Sequence, residues 1–434
     1  MQVFRIEGGH PLRGEIVASG NKNAALPLAA LSLMLEGPLR LRNLPAIGDV
    51  ETMLALLEQL GVRVDRTGPH DAALDAREVT ESAPSAEWTE RLRGSILLAA
   101  PLLTRLGRVD LAFPGGDRIG RRRIDTHLLA LKALGARVVV QSSGYTITRD
   151  GPLRGADLLL DEASVTATEN TVMAAARAEG RTVIRNAACE PHVQEVCRAL
   201  VAAGARIEGI GTNRLVVDGV EALHGADATV GADYVEVGSL IALAAVTGSD
   251  VCIRRAGPAE HLRMILMQLA RLGIIAEVHT DQVRGDEVRV APDQPLEVAA
   301  DARGAIPKIE DAPWPGFPAD LTSIATVAAT QARGSVLIFE KLFESRMFFV
   351  DQLINMGARI VLCDPHRAVV IGPAPLRGAE IHSPDIRAGM ALLIASLAAE
   401  GTSRIRNVEQ IDRGYEHLDE RLQRLGARIE RAGI

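Results

Sequence analysis

The sequence predicts an α/β protein of two similar domains, each made of three copies of a helix–strand–helix–strand unit, with buried helices inside and sheets outside. Three observations predict it. A helix that ends in Gly and runs into a strand recurs six times, a second glycine before each copy opens an apolar strand, and an Ala-rich helix lies upstream of each second glycine. Six units in 434 residues exceed one hydrophobic core, whereas three units suit one domain.

The first repeated feature is the end of the amphipathic helix. A glycine there is the expected left-handed C-cap, because glycine enters that backbone region without steric strain. A strand follows closely, as in Gly135-Ala136-Arg137-Val138. The six cap glycines recur at intervals of 69 to 84 residues and are Gly61, Gly135, Gly204, Gly273, Gly357 and Gly426.

The second repeated feature is a buried helix followed by a glycine and a strand. The helices are apolar nearly all round, which indicates burial on every side. They are predicted over Leu26–Leu35, Ile96–Leu103, Val172–Ala178, Leu240–Val246, Ile324–Ala329 and Ala391–Ala399. The glycines after them are Gly37, Gly107, Gly180, Gly248, Gly334 and Gly401. A hairpin strand usually closes the unit, as at Tyr145–Arg149 and Ala368–Ile371, and the longest interval predicts an insertion near Ala300–Pro318.

Composition excludes several classes of function. A net charge of −7 argues against sequence-independent binding to DNA or acidic membranes, and an aromatic content of 3% against a single-stranded nucleic-acid platform. No apolar run approaches the ~18 residues of a membrane span, and Met1–Glu7 reads as a strand instead of a signal peptide. We therefore expect a soluble, cytoplasmic protein without a nucleic-acid partner or membrane insertion.

The four cysteines show neither a CxxC pair nor a metal-ligand spacing with His. Cys189, Cys197, Cys252 and Cys363 are therefore expected to be reduced, buried thiols, and no metal site is predicted.

Charged and polar residues recur at one position of the repeat, just before each buried helix. They are Lys22, Arg93, Ser164, Asp233, Asp320 and Arg387, 14 to 16 residues ahead of the following glycine. Equivalent positions lie at the same end of a domain, so two such ends facing each other would line one polar cleft, the usual kind of ligand site. Ser164 and Asp233 can also be explained as helix N-caps.

A basic stretch, Phe113 to His127, occupies a matching connection. Arg346 and Arg413 each lie 12 residues after their strand-opening glycine, and the corresponding connection of the second unit is this stretch. It holds Asp117 and three consecutive arginines in an acidic chain, which favours a site for anionic ligands. A solvated basic loop is the alternative, and the shared repeat position argues against it.

The chain resembles the UDP-N-acetylglucosamine 1-carboxyvinyltransferases, a family of enolpyruvyl transferases, over nearly its whole length. The motifs that carry the resemblance are Ser19–Ala25, Leu92–Ser95, Phe113–Gly116, Asp161–Ala167, Phe317–Asp320, Phe343–Arg346, Asp385–Arg387 and Ile411–Glu416. Jointly they are specific, whereas a lone Arg-Gly-Ser or Asp-Ile-Arg would carry no weight.

The resemblance implies two inside-out α/β barrel domains that close over phosphoenolpyruvate and a UDP-sugar. The first domain would comprise residues 22–231 and carry a mobile loop, 113–127, and the second would comprise 1–21 and 232–434. The implied reaction transfers the enolpyruvyl group to the 3′-hydroxyl of UDP-N-acetylglucosamine and releases phosphate, the first committed step of peptidoglycan synthesis and hence of cell-wall formation. No cofactor or metal is expected, since arginines can replace magnesium around phosphate, and a monomer is favoured.

The resemblance also assigns roles to residues. Asp117 would be the general acid and Asp320 the general base, with Lys22 and Arg413 as further catalytic residues. The phosphoenolpyruvate-binding residues would be Lys22, Asn23, Arg122, Arg346, Arg387 and Arg413. The UDP-sugar-binding residues would be Asn23, Arg93, Arg122, Arg123, Ile124, Asp125, Thr126, His127, Ser164, Val165, Thr166, Asp320 and Phe343. Asp125 would accept the imide proton of uracil, and residues 164–166 would receive the diphosphate at a helix N-terminus.

Three positions depart from the family pattern. Asp117 stands where the loop usually carries Cys, and a carboxylic acid can also deliver a proton. Because fosfomycin acts by alkylating that thiolate, the chain is expected to be insensitive to it. Glu162 replaces a Lys near the diphosphate and Tyr234 replaces an Arg at the second hinge, which leaves the identity of the nucleotide sugar open.

Three alternative functions stay open. A 5-enolpyruvylshikimate-3-phosphate synthase shares the fold and the donor, although its acceptor-site motifs are absent here. An enolpyruvyl transferase acting on another nucleotide is the second, and a non-catalytic scaffold that binds a nucleotide sugar is the third. Lys22, Asp320, Arg413 and a proton donor at position 117 argue against the scaffold.

Overall fold

The computed structural model of the chain describes residues 2–117, 119–280 and 286–433. Contacts divide it into two compact units. The N-terminal unit comprises Gly20–Asp117 and Arg122–Gly231, and the C-terminal unit comprises Met1–Ser19, Arg118–Arg121 and Ala232–Ile434. Within the described residues, no helix is long and apolar enough to cross a membrane.

The described residues form short strands throughout the chain. They are β1 (Gln2–Glu7), β2 (Arg13–Val17), β3 (Leu39–Arg42), β4 (Arg63–Gly68), β5 (Asp71–Asp75), β6 (Arg108–Ala112), β7 (Arg137–Val140), β8 (Gly144–Thr148), β9 (Asp157–Leu159), β10 (Arg181–Arg185), β11 (Arg206–Glu208), β12 (Arg214–Asp218), β13 (Ala226–Thr229), β14 (Asp250–Arg254), β15 (Glu277–His279), β16 (Glu287–Val290), β17 (Lys308–Glu310), β18 (Gly334–Phe339), β19 (Arg359–Asp364), β20 (Arg367–Gly372), β21 (Glu380–His382), β22 (Thr402–Arg406) and β23 (Arg428–Gly433).

Helices alternate with these strands. They are α1 (Lys22–Leu31), α2 (Gly48–Gln59), α3 (Ala86–Thr89), α4 (Ala99–Leu106), α5 (Asp125–Ala133), α6 (Val165–Ala176), α7 (Pro191–Ala202), α8 (Tyr234–Val246), α9 (Ala259–Ala270), α10 (Thr322–Gln331), α11 (Val350–Asn355), α12 (Ile386–Ala398), α13 (Glu409–Asp412) and α14 (Leu418–Gln423). Three 3₁₀ turns bear on the site: Arg93–Leu98 before α4, Ala319–Leu321 before α10, and Arg346–Phe349 before α11.

Each unit carries three small sheets. Those of the N-terminal unit have the strand orders β13-β3-β5-β4, β6-β8-β7 and β11-β12-β10-β9. Those of the C-terminal unit have the orders β15-β16-β14-β2, β17-β18-β20-β19 and β21-β22-β1-β23. The four-stranded sheets each combine one parallel pair with antiparallel pairs, and the three-stranded sheet is antiparallel throughout.

The first two strands of the chain complete sheets of the C-terminal unit. β2 pairs in parallel with β14, from Arg13 opposite Asp250 to Val17 opposite Arg254. β1 lies between β22 and β23 and is antiparallel to both. In the N-terminal unit, β13 returns to pair in parallel with β3. Each unit thus closes its set of sheets with a strand that is distant in sequence.

Six helices form the interiors, three in each unit, as the sequence predicts. Helices α1, α4 and α6 belong to one apolar core, and α8, α10 and α12 belong to the other. The predicted starts of these helices were too late. The buried helices begin with polar residues, which a search for apolar runs does not assign to a helix. α6, for example, begins at Val165 and not at Val172, and α10 and α12 also begin earlier than predicted. The second helix begins as a 3₁₀ turn, Arg93–Leu98.

The six predicted cap glycines all adopt the left-handed conformation, with φ between 71° and 108°. The prediction for the thiols was partly wrong. Cys197 is buried, Cys189 and Cys252 are partly buried, and Cys363 is exposed, because it lies on β19, where most side chains face solvent. None of the four forms a disulfide.

The interior of α6 contains a completely buried ionisable side chain. Glu169 is 1% exposed, and neither of its carboxyl oxygens has a hydrogen-bond partner among the described residues. Burial, with the nearby charge of Glu190, raises the pKa of Glu169 well above its ordinary value. Folding therefore favours the protonated form of Glu169 relative to the unfolded chain.

This proton makes stability depend on pH. Above the ordinary glutamate pKa the unfolded state binds fewer protons than the folded state, so stability contributed by Glu169 should fall as pH rises, by about 1.4 kcal/mol per unit until its folded pKa is reached. Glu169→Gln should remove that slope and be the more stable protein at pH 8. Denaturant titrations at pH 5, 6.5 and 8 would measure it. The exposed Glu179→Gln is the control, and equal slopes in the wild type and Glu169→Gln would contradict the prediction.

Candidate active site

A carboxylate between two buried guanidinium groups forms the polar centre of the C-terminal unit. Asp320 Oδ1 accepts a hydrogen bond from Arg346 Nη2 at 2.5 Å, and its Oδ2 accepts one from Arg387 Nε at 3.0 Å. The arginine side chains are 8% and 4% exposed, whereas that of Asp320 is 27% exposed. The carboxylate is thus held by fixed cations and is still partly open to solvent.

Burial alone would lower the pKa of both guanidinium groups, because it penalises the charged form. Asp320 opposes this at Arg346, and Tyr415 and Asp320 oppose it at Arg387, so both pKa values lie above the ordinary arginine value. Each cation also lies over an aromatic ring, Arg346 over Phe343 at 5.1 Å and Arg387 over Tyr415 at 5.2 Å. Both arginines therefore remain charged inside the unit.

The repeat explains why these residues meet. Asp320 lies in the 3₁₀ turn before α10, and Arg387 is in the first turn of α12, which packs on α10. Asp385 caps α12 by accepting the backbone N–H of Arg387 at 2.9 Å. Asp233 caps α8 in the same way, accepting from Val235 N, as its N-cap explanation predicts. Its Oδ2 also lies 4.0 Å from Arg387 Nη2.

A second pair of acids shapes the turn that carries Phe343 and Arg346. Glu340 and Asp311 are fully buried. Glu340 Oε1 accepts the backbone N–H of Phe343 at 3.2 Å, and Asp311 accepts those of Lys341 and Leu342 at 2.5 and 3.2 Å. Burial raises the pKa of Glu340 to about 9, although Arg346 opposes the shift. Burial thus favours the neutral form of Glu340, and Asp320 is the carboxylate that accepts a hydrogen bond from Arg346.

Arg413, which was predicted for the same cation cluster, lies at the end of α13. Its Nη1 donates to Gln410 Oε1 at 2.7 Å. The preceding Asp412 accepts two hydrogen bonds from Arg431, at 2.7 and 2.8 Å, and so holds this turn against β23.

In the N-terminal unit, Lys22 and Asn23 begin the first buried helix. Lys22 Nζ lies 3.3 Å from Asp49 Oδ2, and the two side chains are only 12% and 7% exposed. Asn21 caps α1 by accepting the backbone N–H of Asn23 at 2.8 Å. The lysine charge is therefore held near the start of α1 by a carboxylate in the first turn of α2.

Arg93 ties together the two ends of the predicted loop. Its Nη1 donates to Pro114 O at 3.4 Å and its Nη2 to Arg123 O at 3.1 Å and to Arg122 O. Burial and the nearby charge of Arg122 lower the pKa of Arg93 to about 10. Two cations held this close repel each other, and an anion would relieve the repulsion.

The loop enters through two glycines that have no room for a side chain. A Cβ on Gly115 would overlap the carbonyl oxygen of Glu90, and one on Gly116 would lie 2.8 Å from Arg93 Cβ. Gly116 also has a φ of 93°, in the left-handed region. Asp117, which follows them, is partly buried. The close packing of Gly115 against Glu90 and of Gly116 against Arg93 thus fixes the backbone position of Asp117, the next residue.

The residues predicted around uracil form a charged network. Arg123 donates to Asp125 Oδ2 at 3.0 Å and to Asp161 Oδ2 at 3.2 Å, and Thr126 Oγ1 donates to Asp161 Oδ1 at 2.6 Å. Asp125 is therefore occupied by Arg123 here. Ile124, between them, is buried in the core. Glu162 is exposed to solvent.

The N-terminus of α6 presents backbone donors. Ser164 is the N-cap residue, although its side chain makes no capping hydrogen bond, and Val165 and Thr166 form the first turn. N–H groups in a first helical turn lack intrahelical acceptors and favour anions. His127 contacts this turn, with Nε2 3.0 Å from Thr166 Oγ1. Burial and the charge of Arg93 lower the pKa of His127 to about 3, so its ring is neutral.

Three loop residues, Ile119 to Arg121, belong to the C-terminal unit, whereas the sequence prediction kept all of 113–127 in the first domain. The reason is a pair of backbone contacts. Ser345 N–H donates to Ile119 O at 3.1 Å, and Glu344 Oε1 accepts Arg121 N–H at 2.9 Å. A Cβ on Gly120 would lie 2.5 Å from Glu344 Oε2. The N–H of Arg121 lowers the pKa of Glu344.

Removing this carboxylate should release the loop. In Glu344→Ala the N–H of Arg121 loses its acceptor. Tryptic cleavage after the loop arginines should then become severalfold faster, because the rate of cleavage follows the fraction of molecules in which the loop is released. Glu344→Gln keeps a neutral acceptor and should fall between the two. Glu380→Ala, which removes an exposed carboxylate elsewhere in the unit, is the control. An unchanged cleavage rate in Glu344→Ala would contradict the prediction.

Sequence reasoning missed four residues at these places: Asp49, Asp311, Glu340 and Glu344. Only Glu344 had a signal, since it lies within the Phe343–Arg346 motif. Among the described residues, no group of three or more His, Cys, Asp or Glu side chains is arranged to hold a metal ion.

Residues 6–422 match the protein-family profile described as EPSP synthase (3-phosphoshikimate 1-carboxyvinyltransferase). The fold is similar to that of the enolpyruvyl transferase NikO from Streptomyces tendae, with a TM-score of 0.86, 24% identity and 99% of each chain covered. It is also similar to EPSP synthase from Acinetobacter baumannii, with a TM-score of 0.77, 18% identity and 100% of each chain covered. These likenesses confirm the predicted fold of two α/β domains.

Closer relatives share one name. The UDP-N-acetylglucosamine 1-carboxyvinyltransferase of Bradyrhizobium diazoefficiens is 54% identical over 428 residues, 99% of this chain and 97% of the relative. That of Treponema denticola is 52% identical over 430 residues, 99% of each chain. The chain therefore belongs to the carboxyvinyl (enolpyruvyl) transferase family, in the branch of the UDP-N-acetylglucosamine 1-carboxyvinyltransferases, and is a transferase.

Proposed function

We propose that the protein transfers the enolpyruvyl group of phosphoenolpyruvate to the 3′-hydroxyl of UDP-N-acetylglucosamine, releasing phosphate, as the first committed step of peptidoglycan synthesis. The observation that carries the proposal is the carboxylate of Asp320 held between Arg346 and Arg387 in a chain of this family. These two arginines offer fork-shaped donors for the anionic groups of phosphoenolpyruvate, and Asp320 offers an acceptor for the hydroxyl proton.

The reaction begins with addition. Asp320 takes the proton of the sugar hydroxyl while the hydroxyl oxygen bonds to the carbon of phosphoenolpyruvate that carries the phosphate. Asp117, a variant of the family's loop cysteine, gives a proton to the methylene carbon, which becomes a methyl group. In the elimination, Asp117 takes back a proton from that methyl group, the carbon–carbon double bond re-forms and the bond to the phosphate oxygen breaks. The phosphate leaves with the proton that Asp320 had taken.

The arginine contacts of Asp320 suggest how the donor prepares the base. Both guanidinium groups bind the carboxylate, and each of them favours its charged form. When the carboxylate and phosphate of phosphoenolpyruvate bind Arg346 and Arg387, Asp320 loses part of the stabilisation that these arginines give its charged form. Its affinity for a proton then rises when the sugar hydroxyl needs a base.

The remaining assignments are proposals from the family pattern. Lys22, Asn23, Arg122 and Arg413 would complete the phosphoenolpyruvate site. Arg93, residues 123–127 and 164–166, and Phe343 would bind the UDP-sugar. The functional domains would be 22–231, and 1–21 with 232–434. We also propose a cytoplasmic monomer without a cofactor, which cell fractionation and light scattering of the purified protein would test.

Phosphate release from phosphoenolpyruvate tests the proposal directly. We expect release with UDP-N-acetylglucosamine and none with shikimate 3-phosphate or without acceptor, with the product confirmed by mass. Release with shikimate 3-phosphate but not with UDP-N-acetylglucosamine would identify the chain as a 5-enolpyruvylshikimate-3-phosphate synthase. Release only with a different nucleotide sugar would replace the acceptor, and no release with any acceptor would favour a binding scaffold.

A further inference from the structure

A buried amide with fixed orientation lies behind the start of α6. Asn170 is fully buried, and its Oδ1 accepts the backbone N–H of Ala100 at 3.1 Å. Its Nδ2 lies 2.9 Å from Ile96 O and 2.9 Å from His127 Nδ1. A flipped amide would set its oxygen against a carbonyl oxygen and its NH₂ group against an N–H, so this orientation is the one that satisfies both backbone groups.

The amide fixes the tautomer of His127. Because Nδ2 can only donate, His127 Nδ1 accepts, and the proton of the neutral ring resides on Nε2. The ring is 2% exposed and keeps this neutral form throughout the physiological range. His127 Nε2 then donates to Thr166 Oγ1, 3.0 Å away.

Thr166 consequently differs from the other threonines of its helix. Thr168 and Thr171 turn their hydroxyl groups back onto Ser164 O and Ala167 O, at 2.8 and 2.6 Å. Thr166 lies in the first turn, where no helical carbonyl precedes it by four residues. With its oxygen accepting from His127, the hydroxyl hydrogen of Thr166 is directed away from the ring, beside the N–H groups of the first turn.

We propose that Asn170 and His127 are positioning residues that hold the Thr166 hydroxyl as a hydrogen-bond donor to the diphosphate of the nucleotide sugar. The inference rests on the proposed function, since it needs a diphosphate at the start of α6. It adds a side-chain donor whose direction is set before the ligand arrives, which lowers the entropy lost on binding.

A double-mutant cycle tests this relay, with UDP-N-acetylglucosamine binding measured by calorimetry. Thr166→Val should weaken binding roughly tenfold or more, the usual effect of losing a hydrogen bond to a charged group, and Thr166→Ser should restore most of it. Asn170→Ala alone should weaken UDP-N-acetylglucosamine binding, but adding it to Thr166→Val should weaken binding no further. Thr171→Val, which removes a hydroxyl from the same helix, is the control, and the KM for phosphoenolpyruvate should be unchanged in Thr166→Val.

A spectroscopic measurement keeps the inference testable if Asn170→Ala proves unstable. The ¹⁵N shifts of His127 in the wild type should show the proton on Nε2. A proton on Nδ1, a charged ring at pH 7, wild-type affinity in Thr166→Val or independent effects of the two substitutions would each overturn the relay. A wild type that neither binds UDP-N-acetylglucosamine nor releases phosphate would instead contradict the proposed function, while the tautomer would still be measurable.

Discussion

Asp320→Asn should lower the rate of phosphate release by roughly two to four orders of magnitude, the range expected for loss of a general acid–base group. The amide has nearly the same shape as the carboxylate and can still accept one hydrogen bond from an arginine, but it cannot take the hydroxyl proton. The steady-state rate with both substrates saturating is the measurement, because saturation separates chemistry from binding.

Two comparisons give this result its meaning. Asp320→Glu keeps the charge on a longer side chain, so it should retain more activity than the amide. Asp364→Asn removes a partly exposed carboxylate that pairs with Arg367 in the same unit and should leave the rate unchanged. If Asp320→Asn turned over within a few-fold of the wild type, Asp320 would hold the arginines in place without acting as the base.

Asp117→Asn should also cost about two to four orders of magnitude in turnover, because the methylene carbon loses its proton donor. Asp117→Cys, in contrast, should keep turnover, since a thiol is the group that the family resemblance implies at this position and can also deliver a proton. The wild type should show no time-dependent inactivation by fosfomycin, whereas Asp117→Cys should be alkylated and lose activity. Adduct mass on the loop peptide and residual phosphate release are the two measurements.

The control for this exchange is a thiol placed on the same unit outside the loop. Asp150 is an exposed residue after β8, and Asp150→Cys should gain neither an adduct nor sensitivity. Covalent inactivation of the wild type would rule out Asp117 as the cause of insensitivity. Full turnover in Asp117→Asn would rule out its role as the general acid.

The repeat pattern predicted much of the fold because its signals are local. A glycine that ends a helix or a helix that is apolar on all sides can be recognised within ten residues, and the six caps and six buried helices were found in this way. The position of Asp320 and Arg387 at the starts of such helices also followed, since equivalent helix ends in one unit converge.

The contacts that tune the site could not be predicted in this way. Asn170 meets Ile96 and His127 across 74 and 43 residues of sequence, and Glu340 acquires its raised pKa only from complete burial next to Asp311. Such contacts arise when elements pack, and a single sequence carries no periodic or motif signal for them. The helix starts were placed late for a related reason, because polar residues in a buried first turn resemble a loop.

The strand pairing of the chain's beginning has a consequence for synthesis on the ribosome. β13 completes the first sheet of the N-terminal unit, so that unit can finish folding once residue 231 has emerged. β1 and β2 leave the ribosome before the strands with which they pair, β14, β22 and β23. These two strands therefore stay without their native partners until β14, and later β22 and β23, have been made.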